Sequence, residues 1–322
     1  MAEQYTYAVA RIRAKEMSLL TKSDLDHMLS CNDYDEVLRI LADKGFGDGG
    51  NFETSEDLLA HETEKTWQLI SELVDDMSVF DVFLYANDFH NLKAAIKAVI
   101  TNAPLTKLFL KNGTVAPETI LEAIKERKYS LLPAHMQETA EQAVSVLLQT
   151  SDGQQCDILI DRASLIAIRN AGRDSKNDMI DKYSELFVAL ADIKIAVRCN
   201  KTNKSLEFIK RALAPCDSLD VDALAAAASK TIDDLFEYLS FTDYQPAVDE
   251  IKKSPSAFEK WCDNLIMSHI KGQKSNPFTL SPLAAYILAR ENEIKAVRII
   301  LSAKQNGLSD NSVRERLRDL YV

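Results

Sequence analysis

The stretch "LAAYILARENEIKAVRIILS", residues 283–302, decides the fold class. Leu283, Ile287, Ile294 and Val297 follow one another at steps of four, seven and three residues, the spacing of one face of an α-helix. The stretch contains no glycine or proline to interrupt a helix. Strict two-residue alternation is hard to find elsewhere in the chain. We therefore predict an all-α fold.

The apolar-Lys pair in this stretch occurs at two upstream positions. "HNLKAAIKAVIT" (90–101) and "LADIKIAVRCN" (190–200) place Lys93 and Lys194 so that these lysines and Lys295 are spaced by 101 residues. Each lysine follows an apolar residue by one position, about 100° round a helix. We therefore expect each stem to flank the core while the ammonium group reaches water.

The even spacing predicts three similar helical lobes in a pseudo-threefold, funnel-shaped body. We place them at residues 1–108, 109–210 and 211–322. The period is too long for solenoid repeats of ~20–50 residues. Asn-Gly pairs at 112–113 and 306–307 are interpreted as helix C-terminal stops. Chance alignment of helix-forming residues is the alternative to a true repeat.

Two further segments are predicted to be helical. Apolar residues from Trp67 to Leu84 recur every three or four positions, which predicts one amphipathic helix across this segment. Pro117 precedes another amphipathic segment and is expected at the first turn of its helix.

The composition indicates a folded protein that does not bind nucleic acid. The 322 residues are 46% hydrophobic and 27% charged, with a net charge of −11, whereas phosphate binding requires a concentrated basic surface. The charge is uneven, because residues 1–22 and 290–322 each carry +2 while the middle carries −15. The ends could face a different partner from the middle, or the asymmetry could reflect a solvated surface.

No segment is predicted to cross a membrane. The longest run without charge, residues 275–289, is shorter than the ~20 residues that span a bilayer and contains two prolines. The N-terminus becomes charged too early for a signal peptide, so we expect a cytoplasmic protein. The five scattered cysteines are expected to be reduced thiols rather than disulfide or zinc ligands.

No catalytic, cofactor or metal motif is found. "GFGDGG" (45–50) matches GxGxxG, but the preceding segment is helical and Asp48 brings negative charge to the place of a phosphate. We interpret it as a helix end and loop. The five histidines form no HExxH motif, and neither GxSxG nor a P-loop occurs.

Glu16 lies within an apolar stripe that includes Val9, Ile12 and Leu20. A buried carboxylate there requires a cationic or hydrogen-bonding partner, such as the neighbouring Arg13. The alternative, which we favour on the sequence, is a stripe edge that opens to water.

Three motifs resemble the C-subunit family of the V/A-type rotary ATPases (ATP synthases), to which the eukaryotic AC39-like proteins belong. They are "YAVARIRAKEMSLL" (7–20), "YANDFHNLKAAIKA" (85–98) and the whole of residues 276–322, from "NPFTLSPLAAYILARENEIKAVRIILS" to the end. The last is the most specific, and the resemblance across residues 105–275 is diffuse.

The resemblance implies a non-catalytic member of the central stalk, without a cofactor of its own. Such a protein seats the central-shaft subunits on the proteolipid rotor ring and couples ATP hydrolysis or synthesis to proton or sodium transport. It implies a location at the cytoplasmic face of the membrane, reached through the ring. The alternative is a soluble helical scaffold with an unrelated protein partner.

The motif residues on or beside apolar stripes are expected to hold the lobes together or to form interfaces. These residues are Arg11, Arg13, Glu16, Lys93, Lys194, Tyr286, Lys295 and Arg298.

Overall fold

The computed structural model describes residues 5–101, 109–276 and 278–322. Throughout these residues the regular elements are helices, and no strand is present. The predicted all-α fold class is confirmed.

The α-helices follow the chain in order. The first eight are α1 (Thr6–Glu16), α2 (Lys22–Ser30), α3 (Tyr34–Asp43), α4 (Ser55–Ser71), α5 (Tyr85–Thr101), α6 (Pro117–Lys125), α7 (Ala134–Thr150) and α8 (Gly153–Asp174). The next eight are α9 (Asp178–Lys201), α10 (Leu206–Ala212), α11 (Val221–Ala228), α12 (Ile232–Ser240), α13 (Ala247–Lys253), α14 (Pro255–Lys271), α15 (Ser281–Gln305) and α16 (Asp310–Arg314). Short 3-10 helices occupy Phe46–Gly49, Ser78–Phe83, Tyr129–Leu131 and Gly272–Ser275.

The chain forms two compact units. Unit 1 combines residues 1–77 with residues 247–322, so it joins the two ends of the chain, and unit 2 is residues 78–246. The division into three lobes at 1–108, 109–210 and 211–322 stays a prediction.

Unit 1 is organised around α15. Eighteen of its 25 residues are buried, and all of residues 281–290 are. A helix that is buried on nearly all sides lies at the centre of its unit rather than at the surface. α15 packs against α1, α2, α3, α4 and α14. The core includes Met28, Leu41, Leu59, Val297 and Ile300.

Unit 2 is organised around the long antiparallel neighbours α8 and α9. α8 also packs on α5, α7 and α10, and α9 packs on α11 and α12. Its larger core cluster includes Phe89, Leu92, Ile96, Met136 and Ile160.

Local sequence signals determine where many helices begin and end. Thr21 and Thr231 each form a capping box with the aspartate three residues later, which satisfies backbone N–H groups of the first turn. Pro117 occupies the first turn of α6, as predicted. Gly307 has a φ of 63° immediately after α15, so Asn306-Gly307 ends that helix, as predicted.

Two sequence predictions about helix extent are wrong. The helix expected from Trp67 to Leu84 ends at Ser71 in α4 and is followed by a break before the 3-10 helix 78–83. The break coincides with the boundary between the units, so each part of the apolar pattern packs in a different unit. Asn112-Gly113 does not end a helix, because residues 109–113 are irregular.

"GFGDGG" is the helix end and loop that the sequence predicts. α3 ends at Asp43, and Gly45 and Gly47 have φ values of 84° and 78°.

Among the described residues, every helix is too short or too polar to span a lipid bilayer.

Gly172 allows α8 and α9 to approach closely. A Cβ atom at this position would overlap the Cβ and Oγ atoms of Ser184 on α9. Ser184 is itself fully buried and its Oγ accepts a hydrogen bond from Arg169, so it is not free to move aside.

We expect Gly172→Ala to lower the free energy of unfolding by about 1–3 kcal/mol, because overpacking outweighs alanine's better helix propensity. Gly153→Ala is the matched control at the first turn of the same helix, where a Cβ meets no atom within 4 Å. Urea denaturation of both variants measures the difference. Equal stability of the two variants would contradict the close approach.

Candidate functional site

Arg290 is the centre of a buried ionic cluster in unit 1. Its side chain projects from α15, and its Nη2 atom lies 2.5 Å from Oε2 of Glu62 on α4. Nη1 donates to Glu293 one turn further along α15. Nε lies 3.4 Å from Oγ1 of Thr66, and the guanidinium stacks 5.2 Å from the ring centroid of Phe46. Arg290, Glu62 and Glu293 are 7%, 1% and 2% exposed, so these interactions take place out of water.

The two carboxylates of this cluster hold further parts of the backbone. Glu62 Oε1 accepts a hydrogen bond of 2.7 Å from the N–H of Gly47, in the loop after α3. Glu293 Oε1 accepts a hydrogen bond from the N–H of Leu20, in the turn after α1. The helix α4, the loop after α3 and the turn after α1 are therefore connected to Arg290 directly or through its two carboxylate partners. We call Arg290, Glu62 and Glu293 the α15 cluster.

Burial and charge have opposite effects on the ionisable groups of this cluster. Burial alone lowers the pKa of Arg290, but Glu293, Tyr286 and Glu62 raise it above the ordinary value, so the guanidinium stays charged. Burial raises the pKa of Glu293, an effect that the charge of Arg290 opposes. Tyr286 is buried next to the cluster, and this burial raises its pKa to about 12.

A cleft of about 470 Å³ lies beside the α15 cluster and is lined by Arg11, Lys15, Tyr286 and Arg290. It brings together two of the residues predicted from sequence, Arg11 and Tyr286. Nη1 of Arg11 donates to the Tyr7 hydroxyl at 3.0 Å.

Glu16 is buried and paired, so the favoured expectation that it faces water is wrong. Arg13 donates to both of its carboxylate oxygens at 2.7 Å. Arg13 also donates to the carbonyl groups of Gln273 and Lys274, at 3.0 and 2.9 Å. The pair therefore connects the end of α1 to the 3-10 helix 272–275.

The three lysines that are spaced by 101 residues differ in their burial and in their partners. Lys93 is half-buried and pairs with Asp161 on α8. Lys194 is half-buried in α9. Lys295 is exposed, and the expectation that its stem flanks the core stays a prediction. Arg298 is exposed as well and pairs with Glu56 at 3.0 Å.

Asp48, His61 and Glu62 form the one group of three possible metal ligands among the described residues. Lys65 places its ammonium group 2.7 Å from Asp48 and 3.4 Å from Glu62. A lysine between the carboxylates supplies the positive charge that a metal ion would bring. The group is an ion-pair network.

Unit 2 contains a second buried cluster, which sequence reasoning missed. Arg169 on α8 is 4% exposed and lies 2.5 Å from Asp181 and 2.7 Å from Glu185 on α9. Its Nη2 also lies 2.7 Å from Asp217, in the segment after α10, which Arg173 binds too. The signal in the sequence is a pair of arginines four residues apart, next to a helix with acids at the same spacing.

Two acidic side chains of α9 hold residues 213–218, which lie between α10 and α11. Glu185 Oε1 accepts hydrogen bonds from the N–H groups of Asp217 and Ser218 at 2.9 and 2.7 Å. Asp192 is fully buried, and its Oδ1 accepts from the N–H of Ala214 at 3.0 Å. Its Oδ2 has no hydrogen-bond partner in the described structure.

The buried position of Asp192 raises its pKa to about 7, because burial outweighs the hydrogen bond from Ala214 and the charge of Arg162. The folded protein therefore binds a proton here over a pH range in which the unfolded chain, with an ordinary carboxyl pKa near 3.8, does not. The stabilisation is present at low pH and is lost as the pH rises towards 7.

These features define a class of protein: an all-helical protein whose buried ionic clusters hold its helices together. The profile of the ATP synthase (C/AC39) subunit family matches residues 8–316 of the chain. The chain belongs to this family.

Curated relatives match over almost their full lengths. The chain is 23% identical to the C subunit of the V-type sodium ATPase of Enterococcus hirae, with 96% of this chain and 97% of the relative covered. It is 24% identical to the C subunit of the A-type ATP synthase of Desulfurococcus sp., with 97% and 90% covered. It is 22% identical to the C subunit of the V-type ATP synthase of Thermus thermophilus, with 98% and 99% covered.

We expect Arg290→Ala to lower the free energy of unfolding by about 3–5 kcal/mol, because it leaves buried Glu293 without its cation and buried Glu62 with only the longer contact to Lys65. Arg298→Ala on the same helix removes an exposed ion pair and should cost less than about 1 kcal/mol. Thermal and chemical denaturation of both variants test this. A cost below about 1 kcal/mol for Arg290→Ala would contradict the structural role of the cluster.

We expect Asp192→Asn to remove part of the pH dependence of stability. The amide keeps the acceptor for Ala214 and cannot ionise. The free energy of unfolding of the variant, relative to that of the wild type, should therefore be on the order of 2–4 kcal/mol higher at pH 8 than at pH 5. Melting curves at the two pH values measure it. Asp178→Asn, at the exposed start of α9, is the control for the removal of a carboxylate that is not buried. The same change in stability between pH 5 and pH 8 for the wild type and for Asp192→Asn would refute the raised pKa of Asp192.

Proposed function

We propose that this chain is a non-catalytic central-stalk subunit of a V/A-type rotary ATPase. It seats the central shaft on the membrane rotor ring and so couples ATP hydrolysis or synthesis to proton or sodium transport. The observation that carries this proposal is the family match over residues 8–316, together with relatives covered over 90% or more of their lengths. No large part of those relatives lacks a counterpart here.

The interior of the protein supports this role. A subunit that transmits rotation must resist deformation within each of its units. The α15 cluster joins α15 to α4 and to two loops. Arg169 joins α8 to α9 through its hydrogen bond to Asp181, and to the segment after α10 through its hydrogen bond to Asp217. Directional, charge-assisted hydrogen bonds fix the positions of helices more strictly than apolar contacts do.

The proposed partners are the central-shaft subunits and the proteolipid ring. The protein would then be peripheral at the cytoplasmic side of the membrane, held there through the ring. The described structure contains no helix that could span the bilayer, which agrees with attachment through a partner.

The test compares membranes that contain the ATPase with and without this chain. Without it, we expect ATPase activity to move to the soluble fraction and ATP-dependent ion uptake into vesicles to fall to background, and adding back the wild-type chain should restore both. Retained coupling without the chain would refute the proposal. A tagged copy should also purify with ring and shaft subunits; a helical scaffold with an unrelated partner would bring down neither.

A further inference from the structure

Unit 1 contains a basic cavity that the ionic clusters above do not use. Its volume is about 440 Å³, and it lies between α2, α14 and the segment 314–322. The lining cations are Lys22, Lys260, Lys271, Arg314 and Arg318, against the carboxylates of Asp26 and Asp319. This excess of positive charge occurs in a chain of net charge −11. Lys22, Arg314 and Arg318 come from the two end regions of the chain, and Lys260 and Lys271 come from α14.

The cavity's arginines are already engaged, and its lysines are not. Arg314 pairs with Asp26, and Nε of Arg318 lies 2.8 Å from Asp263. No carboxylate of the described residues lies within ion-pair distance of Lys22, Lys260 or Lys271; Lys260 has only a 3.3 Å contact to the carbonyl group of Arg314. Three ammonium groups are therefore available to a ligand.

The spacing of the lysines favours an extended ligand. Lys260 and Lys271 are eleven residues apart on α14, so they lie on nearly the same face with Cα atoms about 16 Å apart. An extended peptide of about five residues covers that distance. A single phosphate group does not, and the guanidinium forks that bind phosphate in two-point fashion are occupied here.

The cavity also has an apolar surface. Leu25 and Leu320 are buried and Leu317 is half-buried, and all three line it. A ligand that contacts both this surface and the lysines carries aliphatic and carboxylate groups close together. A flat membrane surface does not enter a concave cavity of this size, whereas a short peptide segment does.

We propose that this cavity binds an acidic segment of a protein partner, in which aspartate or glutamate side chains alternate with aliphatic ones. The carboxylates pair with Lys22, Lys260 and Lys271, and an aliphatic side chain packs on the three leucines. This goes beyond the proposed stalk function, and it is tested on the isolated full chain, so either proposal can fail without the other.

The experiment measures the fluorescence anisotropy of a labelled peptide of sequence ELEDLE added to the wild-type chain. We expect saturable binding that weakens as salt is raised, because salt screens exposed ion pairs. Lys22→Gln/Lys271→Gln should weaken binding at least about fivefold, and adding Lys260→Gln should weaken it further. The neutral peptide QLQNLQ should not bind.

The matched control is Lys125→Gln/Lys230→Gln, which removes two exposed lysines of unit 2 and should bind as the wild type does. Melting curves of all variants establish that they are folded. Three results would overturn the proposal: unchanged binding to Lys22→Gln/Lys271→Gln, displacement of the peptide by equimolar inorganic phosphate, or displacement by vesicles that contain phosphatidylserine.

Discussion

The buried guanidinium of Arg290 is the constraint on which unit 1 depends. Moving an unpaired charge into a protein interior costs several kcal/mol, so its environment must supply carboxylates and hydrogen-bond acceptors at the right places. Glu62 comes from a helix 228 positions earlier in the chain, and the carboxylates in turn hold the N–H groups of Gly47 and Leu20. The beginning of the chain can therefore pack against α15 in one arrangement with every charge satisfied. Apolar packing alone would permit more alternatives.

Unit 2 is subject to the same constraint, but there the buried charges that must be satisfied are negative. There, Asp192 and Glu185 bring negative charge into the interior and use the backbone N–H groups of the segment 213–218 to satisfy it. Arg169 balances Glu185, whereas Asp192 has no cation in direct contact among the described residues and responds through its raised pKa. The two carboxylates lie seven residues apart on one helix face. The charge of Glu185 is balanced by a cation, whereas Asp192 binds a proton more readily than an exposed carboxylate does.

The sequence was sufficient for the fold class and for two helix ends, because these depend on local periodicity and on residues such as Pro117 at the start of α6 and Asn306-Gly307 at the end of α15. It was insufficient for the partners of charged residues. Arg290 and Glu293 lie in the stretch that predicts the fold, yet their roles depend on Glu62, whose position is set by tertiary packing. Glu16 shows the same limit, since its partner Arg13 is local in sequence but its burial is a product of the tertiary fold.

The distribution of charges separates what holds the protein together from what is available to partners. A buried pair cannot be broken without a cost of several kcal/mol, whereas an exposed pair such as Arg298 with Glu56 contributes about 1 kcal/mol or less. Exposed charges can therefore be replaced with little effect on the stability of the fold. The lysines of the basic cavity belong to this second group, because no carboxylate of the described residues pairs with them. Their charges therefore add little to the stability of the fold, which leaves them available for the binding role that we propose.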